Sequence, residues 1–302
     1  MKSRINTITS FALIIAGILW ATFPTVAQGP RSSVKTNTKI MYHNGPVVAG
    51  ASNIYLVWYG CWRTEVVCGN MGSPSIQFVL SDFASHLGSS PYFQINSTYP
   101  NADGQAPSGG LLYGGSGVEP VYSHGNDLTE TDIAGIVADQ VLSSNLPLDP
   151  SALYIVITSE DIAANSVGFC SPGVPPHHGY STVLGTTFRY GFIGHAGRCP
   201  TAAASQFVAA DGTLLPSPNG DFAADAMASD MAHVLSTMVT DPYGSGWFDR
   251  YGLENADKCQ GTFGQTFTTA NGGRANMHLG NRDYLIQQNW VNDRRARCAL
   301  SQ

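Results

Sequence analysis

The stretch that decides the fold is Asn53–Gly60, NIYLVWYG. It is almost wholly apolar, rich in β-branched and aromatic side chains, and too short for a helix. Such a run predicts a strand buried on both faces. Working outward, Ser73-Pro74 opens a helix with proline in its first turn. Ile76, Val79, Leu80, Phe83 and Leu87 then recur at spacings of three and four, and Gly88 ends the pattern. A second helix begins at Thr129, with Asp132 placed as its capping-box partner and Ile133, Ile136, Val137 and Val141 as its apolar face. Pro147 and Pro150 lead into LYIVITS, Leu153–Ser159, a second buried strand. Strand, helix, strand in this order predicts an α/β layer with parallel pairing. FRYGFIG (188–194) and YLIQQNWV (284–291) read as further strands, and GGSG (114–117) as a flexible turn.

The chain has 302 residues and a formal net charge of −6. It opens with Lys2 and Arg4, a mostly apolar run from Phe11 to Phe23, and Thr25-Val26-Ala27 as a small-residue cleavage site. That is the form of a secretory signal over 1–27, shorter than a bilayer span needs. Removing Lys2 and Arg4 leaves 13 basic against 21 acidic side chains, a net charge near −8. This argues against nucleic acid or an anionic membrane as the partner. Residues 28–40 read as a polar, loose arm and 41–302 as one domain, since no linker or charge block divides them.

Six cysteines, Cys61, Cys68, Cys170, Cys199, Cys259 and Cys298, suit disulfides in an oxidising compartment. Fifteen pairings are open, and the set nearest in sequence, 61–68, 170–199 and 259–298, is the expectation. Asn96-Ser97-Thr98 is the sole glycosylation sequon, which places Asn96 on the surface as a glycan acceptor.

A third helix is expected over Asp221–Thr240, with Met227, Met231, Val234, Leu235 and Met238 on one face. At 100° per residue, Asp230, His233 and Thr237 form a separate polar stripe. The helix raises the question of zinc. An H-E-x-x-H helix needs ligands at i and i+4 and a glutamate beside the first to polarise the bound water. Here Val234 follows the histidine and Thr237 stands at i+4. Two of the three roles are missing. His233, Asp230, Glu254 and Asp257 are what remains for a degenerate metal set. No Gly-x-Ser-x-Gly elbow, unpaired cysteine or phosphate loop offers another chemistry.

Several segments taken together resemble the EXORDIUM / phosphate-induced protein family of secreted plant proteins. They are NGPVVAG with NIYLVWYGCW (44–62), VYSHGNDLT (121–129), LPLDPSALYIVITSEDI with its following FC, GFIGHAGRCP, PSPNGDFAADAM, and TDP with KCQG. The family helix resembles His-Glu-x-x-Glu, a zincin variant, followed later by Glu-x-x-Asp-x-Cys. His233, Glu254, Asp257 and Cys259 match that pattern, whereas Val234 and Thr237 replace its two glutamates. Plant members carry further cysteines where Pro175 and Ala203 stand, which supports pairing Cys170 with Cys199. His178-Gly179-Tyr180 resembles a family His-Gly-aromatic step and makes His178 a candidate for lining a cleft.

The resemblance implies a single-domain α/β protein: a mixed sheet with flanking helices, a zincin-like helix and disulfide-braced loops. It implies a secreted role in the extracellular space, apoplast or cell wall, in growth, signalling or wall interaction, and the replacement of both glutamates by Val234 and Thr237 makes a non-catalytic role the expectation. No cofactor is expected. Zinc enters only with the alternative, a divergent metal hydrolase built on Asp230, His233 and Glu254 or Asp257. A third reading is a wall-glycan binder using Trp62, Trp247 or Phe248. The expected partner is an extracellular protein or a cell-wall glycan.

Overall fold

A computed structural model describes residues 39–62 and 74–302, and the described residues fall in one compact unit. The expected signal segment and Cys68 lie outside them. Of the arm expected over 28–40, only 39 and 40 are described, and Ile40 is already buried.

The centre is a five-stranded sheet. Its strands are β1 (Gly50–Tyr59), β2 (Pro107–Glu119), β3 (Leu153–Thr158), β4 (His177–Val183) and β5 (Thr186–Ile193). The spatial order is β2-β1-β3-β5-β4. The first four strands in that order run parallel, and β4 closes one edge antiparallel to β5. Helix α1 (Pro74–Leu87) connects β1 to its neighbour β2, and α2 (Glu130–Leu142) leads from β2 to β3. The expected capping box is present on α2, with Thr129 and Asp132 exchanging hydrogen bonds. The long helix α3 (Phe222–Thr240) follows β5.

Successive residues of β1 enter opposite cores. Ile54, Leu56 and Trp58 pack with α1 and α3, while Tyr55, Val57 and Tyr59 pack with α2. Both faces of the strand are covered, which is why its sequence is apolar without alternation. Gly191 of β5 lets α3 lie close to the sheet. A Cβ there would stand 2.7 Å from Val234 Cγ1.

Two local readings are corrected. The segment 114–117 is not a turn: it lies within β2, paired in parallel with β1. Its glycines yield space to larger neighbours, Gly114 to the Tyr55 ring and Gly117 to Gln140. The 284–291 segment is not one strand. Arg282–Tyr284 and Asn289–Val291 belong to separate two-stranded sheets. Between them the backbone N–H of Ile286 donates to Asn276 Oδ1, and that of Gln287 to Ser229 Oγ. Side chains take the place of a strand ladder there.

Disulfides join Cys170 to Cys199 and Cys259 to Cys298, as expected. The second ties the C-terminal strand Arg297–Ala299 to the turn beyond α3. Among the described residues, no helix is long and apolar enough to cross a membrane.

Candidate functional site

Helix α3 is capped by Asp221, whose Oδ1 accepts from the N–H groups of Ala223 and Ala224. Every residue of the helix except Phe222 and Asp230 is buried. The polar stripe of Asp230, His233 and Thr237 is therefore mostly enclosed. His233 is 1% exposed. Its Nε2 lies 2.9 Å from Asp257 Oδ1, and its Nδ1 lies 3.1 Å from Gln287 Nε2. Gln287 Nε2 also donates to the carbonyl of Ala256 at 2.9 Å. A carbonyl oxygen can only accept, so the Gln287 atom that meets it must be the amide nitrogen, and this second bond fixes the orientation of the Gln287 amide. Nδ1 of His233 is then the acceptor, and Nε2 carries the hydrogen that goes to Asp257.

Asp257 is fastened in turn. Its Oδ2 accepts from the Glu254 N–H at 2.9 Å. Burial pushes its carboxyl upward, but the hydrogen bonds from His233 Nε2–H and the Glu254 N–H, with the nearby charge of His178, outweigh burial and hold it below the usual carboxylate range.

The two residues that stand in place of glutamates do not face this ring. Val234 is fully buried against Gly191 and Ile155. Thr237 turns its hydroxyl back to donate to the Val234 carbonyl at 3.0 Å. Asp230 points elsewhere, into a small cavity of about 130 Å³ that it lines with Phe169, His177 and Gln287. Desolvation of this half-buried side chain pushes its carboxyl up to about 7. Glu254 turns its carboxylate to His178.

A zinc ligand must offer a free lone pair, and a neutral imidazole has one. That of His233 is taken by Gln287. Among the described residues, no group of three or more His, Cys, Asp or Glu side chains is placed to hold a metal ion. The candidate set of His233, Asp230, Glu254 and Asp257 does not fit a zinc centre.

The Glu254–His178 pair opens onto a larger space. His178 sits on β4, and its Nε2 meets Glu254 Oε2 at 3.0 Å. The two side chains are 13% and 15% exposed. They line an open cleft of about 680 Å³, together with Glu130, Tyr180, Asp241, Tyr243 and Phe248. Burial lowers the affinity of His178 for its proton, but the charges of Glu254, Asp241 and Asp257 more than restore it, and its pKa is raised. That of Glu254 is also raised, by burial first and by Asp257 and Asp241 besides, with His178 offsetting only part. As adjacent histidines in an extended strand must, His177 points the other way, toward Glu130 and Tyr190.

Of the proposed ligand contacts, His178 and Phe248 do share the cleft. Trp247 does not line it. It is wedged between Tyr42 and Tyr99, and its Nε1 donates to the Pro100 carbonyl at 3.0 Å. Trp62 is buried against Trp58. Both indoles are used to hold the fold. Phe248 lies flat on His43, with centroids 3.7 Å apart.

Asn96 requires a correction. It is fully buried rather than on the surface. Its Oδ1 accepts from the amides of Asn255 at 2.9 Å and Asn289 at 3.1 Å. A glycan on its Nδ2 would have no route to solvent in this fold.

Sequence reasoning missed Gln287, Glu130, Tyr180, Asp241 and Tyr243. Gln287 carried one signal, an amide inside an otherwise apolar C-terminal run. Tyr180 and Asp241 stood in segments that resemble the family, with no sign of a shared site, and Glu130 and Tyr243 carried no signal, because the cleft draws these residues from the start of α2, from β4 and from the turn beyond α3.

The class these features define is a three-layer α/β domain, disulfide-braced, with a histidine-bearing helix whose histidine is internally saturated. The family described as Phosphate-induced protein 1 conserved region matches residues 40–298, and the chain belongs to it. It is similar to Protein EXORDIUM-like 5 of Arabidopsis thaliana, 28% identical over 300 residues, covering 86% of this chain and 80% of the relative. It is similar also to Protein PHOSPHATE-INDUCED 1 of Nicotiana tabacum, 26% identical over 249 residues, covering 75% and 74%. Protein EXORDIUM of Arabidopsis thaliana is 25% identical over 257 residues, covering 75% and 74%. No solved structure matches the chain.

Proposed function

We propose that this member of the EXORDIUM-like family is a secreted, non-catalytic binding protein of the extracellular space or cell wall. One observation carries the reading: both ring nitrogens of His233 are engaged by fixed internal partners, Asp257 and Gln287. The position beside it, where a zinc hydrolase needs its base, is a valine packed on the sheet. The N-terminal signal pattern and the two disulfides support an oxidising, extracellular destination.

An extracellular protein fits the cleft better than a wall glycan does. Trp62 and Trp247, the rings best suited to stack on sugar, are consumed by internal packing. The test is metal analysis of the purified protein combined with digestion of a peptide library. Less than about a tenth of an equivalent of zinc and an uncleaved library are expected for a structural histidine. Near-stoichiometric metal, with cleavage abolished by a chelator, would overturn the reading and restore the metal-hydrolase alternative.

A further inference from the structure

The cleft beside β4 has a composition that selects for one kind of ligand. Three carboxylates, from Glu130, Asp241 and Glu254, line it, with no lysine or arginine among its lining residues. His178 is the sole counter-charge, and it is already committed to Glu254. Glu254 Oε1 and His178 Nδ1 are buried and have no hydrogen-bond partner among the described residues. Buried polar atoms left open in this way cost free energy unless a ligand or water meets them.

The aromatic lining is arranged as walls rather than as a platform. Tyr180 and Tyr243 stand 5.1 Å apart at 89°. Tyr180 is 54% exposed. A pyranose stacks on a single flat face, whereas rings at right angles beside carboxylates form two sides of a box for a cation. The cleft also reaches an open sheet edge. Among the described residues β4 forms one ladder, with β5, so its outer edge carries unpaired backbone groups. Along that edge the cleft extends to Glu130 on the α2 side and to Glu254 on the α3 side.

We propose that this cleft captures an extended polypeptide segment bearing a lysine or arginine, its backbone lying along β4 and its cation held between Tyr180, Tyr243 and Glu254. The segment adds a strand to the sheet, and the cationic side chain supplies specificity. The net negative charge of the chain draws basic partners toward it. This inference rests on the non-catalytic reading above, because the ligand is held and released intact.

The test uses the full chain and four blocked heptapeptides of alternating valine and glycine, with a central lysine, arginine, norleucine or glutamate. Titration calorimetry reads binding, and chromatography reads whether the peptide survives. The lysine and arginine peptides are expected to bind at least about tenfold more tightly than norleucine, with glutamate weakest. Tyr180→Ala, at an exposed position, and Glu254→Gln are each expected to weaken lysine-peptide binding by about tenfold. Methylating alternate backbone nitrogens of the lysine peptide is expected to do the same. Thermal melts followed by circular dichroism check that both variants are folded. Equal binding of norleucine and lysine, or no binding of any peptide, would overturn the proposal. A lysine peptide that binds and is recovered cleaved would instead support the capture and overturn the non-catalytic reading.

Discussion

Two histidines of this protein, His233 and His178, each pair with a carboxylate contributed by the turn beyond α3. Their surroundings differ in what is left over. Around His233 every polar atom of the ring has a partner and the cluster is closed. Around His178 the second ring nitrogen and one Glu254 oxygen have none, and the pair borders the cleft. A satisfied buried network stabilises and specifies a fold, whereas an unsatisfied one at a surface opening is a place for a ligand. The residue types are the same, so type alone does not separate a structural pair from a binding one. The bookkeeping of donors and acceptors does.

The largest expected effect comes from forcing the zinc-hydrolase residue back into α3. Val234→Glu would bury a carboxylate against Gly191 and Ile155, with a cost of about 4–5 kcal/mol in urea unfolding and no gain of peptidase activity. A stable, peptide-cleaving variant would break the comparison at once.

His233→Ala leaves the buried Asp257 Oδ1 without its donor and Gln287 short of an acceptor. A loss of roughly 3–4 kcal/mol is expected, by the same measurement. His178→Ala should cost distinctly less stability, because its partner lies at a cleft that water reaches. A reversed ranking would mean that the closed and open clusters have been misassigned.

Asp230 sharpens the comparison through pH. Its folded pKa of about 7 lies above the ordinary carboxylate value. The folded state therefore binds the extra proton, and the contribution is fully present below about pH 4. It is lost as pH rises through 7, where a charged carboxylate is left in the small cavity. Asp230→Asn is expected to stabilise the protein by about 1–2 kcal/mol at pH 8 and to do little at pH 4, read from paired unfolding curves. An equal effect at both values would sink this account.

The smallest effect belongs to Tyr180→Ala. Stability should stay within about 0.5 kcal/mol of the parent, because the ring is largely exposed. A large loss would make Tyr180 part of the fold rather than of a binding surface.

Much of the architecture was legible because local chemistry dictated it. NIYLVWYG could bury itself only as a central strand. Thr129 and Asp132 cap α2 wherever the helix packs. The disulfide pairs Cys170–Cys199 and Cys259–Cys298 followed from a nearest-neighbour expectation that the fold satisfies. The errors share a cause. GGSG has the composition of a turn, but its missing side chains make room for Tyr55 and Gln140. Asn96 has the sequon of a surface residue, but Asn255 and Asn289 arrive to meet it. Neither neighbour is visible from the local sequence.

The sequence alone determined the layered α/β class, the helix that carries His233 and the absence of a glutamate beside it, because these depend on contacts within a few residues. Tertiary structure decided what the histidines do. Gln287 is 54 positions from His233, and Glu254 is 76 positions from His178. Only the folded chain brings such partners within hydrogen-bonding reach, and only their presence or absence decides whether an imidazole is closed off or left open to a ligand.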